Sequence, residues 1–109
     1  MLTIEMITQA AERLKDVAIQ TPLLESPLLN NALGFRLLIK PECLQKTGSF
    51  KIRGAYNKIA SLDETQRKAG VVAYSSGNHA QGVAAAASAM GVAAKIVMPS
   101  DAPRIKLDN

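Results

Sequence analysis

The chain has 109 residues, 48% hydrophobic and 20% charged, a balance that excludes wholesale disorder and suits one soluble globular domain. No apolar run nears the ~20 residues that cross a bilayer, and Met1-Leu-Thr-Ile-Glu5 has no basic region before an apolar stretch, so neither a membrane span nor a secretory signal is expected. The net charge of +4 comes from scattered Lys and Arg with few aromatics, which argues against nucleic acid and suits a small anion equally well. Cys43, the single cysteine, permits no internal disulfide and points to a reducing cytoplasm.

Along the chain, Ile4, Ile7, Ala11, Leu14 and Val17 recur at helical steps opposite Glu5, Glu12, Lys15 and Asp16. This predicts an amphipathic helix capped by Thr3 and ended by Thr21-Pro22. Leu23-Leu24 opens a short strand, Ser26-Pro27 starts a helix, and Gly34 stops it. Phe35 to Lys40 reads as a strand closed by Pro41. Ser49 to Leu62 has helical spacing through Ile52, Ala55, Tyr56 and Ile59. Ser61-Leu-Asp-Glu64 matches a capping box, which predicts a short helix from there to Gly70. Val71 to Tyr74 is a strand, Ala80 to Met90 an alanine-rich helix closed by Gly91, and Ala94 to Met98 the next strand. Ser100-Asp-Ala-Pro103 suits the cap and first turn of a last helix.

Strand, helix and strand joined by short connections predict two parallel strands, hence an α/β fold with an open parallel sheet and flanking helices. A parallel sheet ending near Asn109 would expose an unpaired edge, and self-association through that edge is expected. Met6, Met90 and Met98 fall at core-like positions, and Cys43 reads as a small buried apolar residue. Glu42, next to Pro41, could orient something in the site, but on sequence alone it reads as a surface acid.

Two segments can carry chemistry. In Thr47-Gly-Ser-Phe-Lys-Ile-Arg-Gly54 a flexible turn leads into a helix, with Lys51 in the first turn between Phe50 and Ile52. A helix N-terminus disfavours a cation and apolar neighbours add desolvation. Both favour the neutral amine, the form that attacks carbonyls to make Schiff bases. A solvated surface lysine satisfies the same spacing. Ser75-Ser-Gly-Asn-His-Ala-Gln-Gly82 follows a strand and opens a helix, where backbone N–H groups, hydroxyls and the helix end suit an anion. A simple helix cap with a glycine turn satisfies that spacing too. Val83-Ala84 stands where a nucleotide loop needs Lys-Ser/Thr, which excludes a phosphate loop of that kind, and no G-x-G-x-x-G occurs. His79, the sole histidine, excludes a His-rich metal site, and no metal is expected.

Together, Glu42-Cys-Leu-Gln-Lys-Thr-Gly-Ser-Phe-Lys-Ile-Arg-Gly-Ala55 and Ser75-Ser-Gly-Asn-His-Ala-Gln-Gly82 resemble the N-terminal part of the threonine dehydratase (threonine ammonia-lyase) and serine racemase family. These are fold-type II pyridoxal-phosphate enzymes of the tryptophan synthase β-like fold. The likeness runs from Thr21-Pro22-Leu23 to Met98-Pro99-Ser100. It implies that Lys51 bears pyridoxal 5'-phosphate as a Schiff base and then removes the substrate α-proton. It further implies that Phe50 packs near the cofactor ring and that Asn78 hydrogen-bonds its ring hydroxyl. Ser75, Ser76, Gly77, Asn78 and His79 would take the carboxylate of L-threonine or L-serine. Ser76 matches the second-face acid/base of a racemase, whereas in a dehydratase its role would be binding. The implied reaction gives a 2-oxo acid, 2-oxobutanoate from threonine, and ammonia. The family's glycine-rich phosphate loop and pyridine partner have no counterpart in these residues, so the fold is expected to be incomplete and the 109 residues alone inactive. Residues 1–62 would then begin the larger domain and residues 63–109 the smaller. A non-catalytic α/β fragment that binds an anion or partner is the alternative.

Overall fold

Ile52, Ala55 and Ile59 lie one helical turn apart in α3 (Lys51–Ala60), and all three are buried. They meet Val83, Ala86 and Ala87 of α5 (Asn78–Ala89), with Val92 completing the cluster. Alanine is the right residue for this contact: it favours the helix and lets two helices approach closely. Ala86 has no exposed surface at all. The computed structural model describes residues 1–108, and this α3–α5 pair is its most extensive packing.

Behind the helices, β3 (Val71–Tyr74) and β4 (Ala94–Val97) run parallel, in register from Val71 against Ala94 to Tyr74 against Val97. Val71, Ala73 and Ile96 pack against the core, while Val72 and Tyr74 face outward. The strand–helix–strand expectation from Val71 to Met98 is borne out here. Gly91 ends the α5 connection in the left-handed region at φ 64°, and the Val92 amide donates back to the Ala87 carbonyl.

The first half is built differently. α1 (Ile4–Leu14) starts at Thr3, whose hydroxyl accepts from the Met6 amide at 3.3 Å, as the spacing predicts. It stops at Leu14 rather than running on to Thr21, because Asp16 adopts φ 63° and both Val17 and Ala18 turn back to the Leu14 carbonyl. Its apolar stripe is not buried in this chain: Ile4, Met6 and Ile7 are all exposed, so Met6 is not a core residue. Arg13 ties α1 to α3 by donating to Asn57 Oδ1 at 3.1 Å. α2 (Pro27–Leu33) has the expected Ser26 cap and Gly34 stop.

β1 (Leu24–Glu25) and β2 (Leu38–Ile39) pair antiparallel, as a sheet of their own beside the parallel pair. The expectation of one open parallel sheet therefore holds only for β3 and β4 among the described residues. The cause is local. Arg36 grips both carboxylate oxygens of Glu25 at 2.8 and 2.9 Å, and Asn30 bonds both Glu25 and the Leu37 amide. These bonds fold the α2 connection back on itself. A 3-10 turn at Glu42–Leu44 follows, turning Glu42 inward and leaving Cys43 exposed rather than buried.

α4 (Glu64–Ala69) has its capping box two residues later than the sequence reading placed it. Asp63 accepts from the Gln66 amide at 2.8 Å, and the Gln66 side chain accepts from the Asp63 amide at 3.1 Å. Ser61 instead ends α3 and donates its hydroxyl to the Lys58 carbonyl. The last helix, α6 (Arg104–Asp108), begins just after Pro103. No helix among the described residues is long and apolar enough to cross a membrane.

The capping assignment has a direct consequence for stability. Asp63→Ala removes the acceptor and should cost about 1 kcal/mol, whereas Ser61→Ala should stay within about 0.5 kcal/mol. Urea denaturation of the two variants measures the difference, and equal losses would contradict the Asp63 cap.

Candidate active site

Lys51 is the first residue of α3, reached through a tight turn. The Gly48 amide donates to the Gln45 carbonyl at 2.8 Å with Gly48 at φ 67°, a conformation that suits glycine. Phe50 precedes the helix without capping it by a side chain. The Lys51 Nζ lies over the exposed Phe50 ring, 5.0 Å from its centroid, within cation–π range. Two buried hydroxyls in the same turn, Thr47 Oγ1 and Ser49 Oγ, have no hydrogen-bond partner.

The second segment leaves the carboxyl end of β3. Ser75 extends the strand pairing by donating its amide to the Val97 carbonyl at 3.1 Å. Its hydroxyl then accepts from the Gly77 amide at 3.2 Å, which shapes the turn into α5. Gly77 caps α5 without a side-chain acceptor, so the positive end of a twelve-residue helix opens beside Ser75 and Ser76. Ser75 and Gly77 are half-buried, and Ser76, Asn78 and His79 are exposed.

Gly82 brings the two segments together. A Cβ there would sit 3.0 Å from the Lys51 carbonyl carbon, 3.1 Å from its oxygen and 3.2 Å from the Ile52 nitrogen. The backbone of α5 thus lies directly on the backbone of Lys51. Asn78 is one turn away, roughly 6 Å along the helix at about 1.5 Å per residue. His79 is placed otherwise: it lines an apolar pocket of about 440 Å³ with Ala55, Lys58, Ile59 and Val83, which none of the other candidate residues line.

For Glu42 the sequence left open a role in orienting the site but gave no partner for it. Far from being a surface acid, it is gripped by Arg53 through Nε to Oε2 at 2.6 Å and Nη2 to Oε1 at 2.9 Å. Thr21 Oγ1 donates to Oε1 as well, at 2.8 Å. The Arg53 bonds hold the Glu42 carboxyl well below its ordinary range, at about 2, against a smaller opposing effect of burial. The pair therefore supports the fold fully above the unfolded-state value near 4.5, and that support fades as pH falls towards 2. No sequence period links residues 42 and 53, so nothing in the spacing signals the contact.

The α/β unit thus brings the helix that Lys51 starts against the helix that follows the Ser75–Gly77 turn. Residues 14–109 match the family described as "Pyridoxal-phosphate dependent enzyme", and the chain belongs to that family. It is 56% identical over 107 residues to an L-threonine ammonia-lyase of Thermotoga maritima, covering 98% of this chain and 27% of that protein. It is 54% identical over 101 residues to an L-threo-3-hydroxyaspartate ammonia-lyase of a Pseudomonas species, covering 93% of this chain and 32% of that one. The solved serine racemase of Dictyostelium discoideum superposes with a TM-score of 0.94 at 44% identity, over 98% of this chain and 35% of the other. The chain thus spans about a third of the length of these relatives.

The residues present fit the family's cofactor. Lys51 offers an amine for its aldehyde, and the unpartnered Thr47 and Ser49 hydroxyls lie in the turn that leads to that lysine. The start of α5 offers N–H groups for an anion.

Glycine at 82 should prove specific. Gly→Ala inside a helix normally stabilises by about 0.5–1 kcal/mol, and Gly54, with nothing within 4 Å of an added Cβ, should follow that rule. Gly82→Ala should reverse the sign and cost about 1–3 kcal/mol, because the new methyl meets backbone and not a movable side chain. Thermal unfolding of both variants checks this, and a stabilised Gly82→Ala would refute the close approach.

Proposed function

We propose that the protein carrying this chain is a pyridoxal-phosphate-dependent ammonia-lyase acting on small β-hydroxy-α-amino acids, L-threonine or L-serine, to give a 2-oxo acid and ammonia. The observation that carries this reading is the contact of Gly82 with the Lys51 backbone, which sets the lysine beside the start of α5. Lys51 is the covalent anchor for the cofactor aldehyde and the base that moves the substrate α-proton at Nζ. Phe50 would pack against the cofactor ring, and Asn78 would hydrogen-bond the ring hydroxyl. Ser75, Ser76, Gly77, Asn78 and His79 receive the substrate carboxylate. His79 lines the apolar pocket beside α3, which supports a backbone role for this residue. When bound, the cofactor supplies the electron sink for the α-carbanion.

A second reading, amino-acid racemisation, is favoured by the exposed Ser76 at the loop and by the likeness to a solved serine racemase. Product analysis separates the two: 2-oxo acid for the lyase, D-amino acid for the racemase. The exposed, unbridged Cys43 supports a cytoplasmic setting. The exposed outer faces of Val72 and Tyr74 on β3 support contact with further chain or another copy. A domain division between residues 62 and 63 would pass between α3 and α4, leaving the α3–α5 contact as the seam between domains.

Lys58 provides the control for Lys51, being exposed, on the same helix and two turns on. In the holoenzyme Lys51→Ala should abolish the visible absorbance of the lysine-bound cofactor and lower turnover by orders of magnitude, while Lys58→Ala keeps the absorbance. Borohydride reduction and peptide mapping decide directly. A pyridoxyl label on any lysine other than Lys51 overturns the assignment.

A further inference from the structure

The segment carrying Lys51 is closed at its base by two side chains that share their partners. Gln45, at its start, donates Nε2 to the Ile19 carbonyl at 2.7 Å and to Glu42 Oε1 at 3.4 Å, and accepts from the Ile19 amide at 3.0 Å. Arg53, at its end, donates Nη2 to the same carbonyl at 3.3 Å and to the same carboxylate oxygen at 2.9 Å. Gln45 is 4% exposed, Thr21 also 4%, and the Glu42 side chain 19%. Thr21 is held in turn by Lys40, whose Nζ donates to its carbonyl at 2.7 Å. The segment from Gln45 to Arg53, which holds the Gly48 turn, Phe50 and the start of α3 with Lys51, has both ends pinned to one acid and one carbonyl.

We propose that Glu42 and Arg53 are positioning residues for Lys51: the forked pair, with Gln45, closes this segment and sets where the lysine stands at the start of α3. The proposal rests on the reading of Lys51 as the cofactor-bearing residue. The geometry asks for arginine and not simply a positive charge, since the guanidinium spans both carboxylate oxygens and still reaches the Ile19 carbonyl, which an ammonium cannot match. Gly82 presses on Lys51 from the α5 side, and the clamp holds it from the other. Opening the clamp keeps the lysine amine but loosens the Gly48 turn and the first turn of α3 that aim it, and reacting groups displaced by about 1 Å can lose on the order of 100-fold in rate.

The test uses the holoenzyme with L-threonine as the probe. Arg53→Lys and Glu42→Gln should each lower kcat roughly 10- to 100-fold, with KM changed less than about threefold. Both should also weaken the visible circular dichroism of the lysine-bound cofactor, which reports its fixed orientation. The double variant should be no worse than the poorer single one, because both remove the same pair. Arg36→Lys is the control: Arg36, just before β2, forms a pair of the same forked geometry with Glu25 of β1, so its kcat and dichroism should be unchanged. Borohydride mapping accompanies every variant. A label that leaves Lys51 in the parent protein sinks the underlying reading. A label on Lys51 throughout, with unchanged kcat and dichroism in Arg53→Lys, sinks the clamp alone. Failure of Arg53→Lys to fold makes the pair a requirement of the fold and likewise overturns the positioning role.

Discussion

The contact that the rest of this structure depends on is the approach of α5 to the Lys51 backbone at Gly82. A Cβ at this position would lie 3.0–3.2 Å from the Lys51 and Ile52 backbone and push the helices apart, and the closeness that glycine permits does two things at once. It builds the core, since Ile52, Ala55 and Ile59 reach Val83, Ala86 and Ala87 only across a short gap filled by small side chains. It also holds the two segments of the proposed site together, since Lys51 at one helix start and the Ser75–Asn78 turn at the other lie on the two helices it joins. Packing and chemistry share one constraint, so neither can be altered there without the other.

Around this centre the chain is open. Its radius of gyration is 16.8 Å, wider than the roughly 13 Å of a closed domain of about 100 residues. The chain is elongated, 53 × 39 × 27 Å, and leaves apolar faces of α1 and β3 uncovered: Ile4, Ile7, Val72 and Tyr74 are exposed. Such faces are contact surfaces by composition. The parts that are closed, the α3–α5 core and the clamp around Glu42, are the parts that surround Lys51.

Much of this was legible in the sequence, for identifiable reasons. Helices α2 and α5 and the β3–β4 pair follow from local signals, namely Ser26-Pro27, Gly34, an alanine run, Gly91 and two β-branched strands. Lys51 and the Ser75–Gly82 turn stood out because turn residues next to a helix start are visible in one dimension. What was not legible depends on contacts between distant segments. The antiparallel β1–β2 pair is decided by Glu25 and Arg36 meeting across α2, and the inward turn of Glu42 by Arg53. The early end of α1 and the true cap of α4 were missed for a different reason. Asp16 and Asp63 competed with neighbouring residues of equal local merit, and only the formed backbone bonds distinguish them. The role of Gly82 was the largest omission, because a glycine inside a helix announces a close neighbour without saying which one.

The central claim is that the lysine at the start of α3 and the start of α5 form a single site. A crystal structure of the borohydride-reduced holoenzyme measures this most directly. The account predicts density continuous from Lys51 Nζ into a pyridoxyl ring lying against Phe50, with the Asn78 side chain within hydrogen-bond distance of the ring hydroxyl. A ring attached to Lys51 but turned away from Asn78 and the Ser75–Gly77 turn would contradict it.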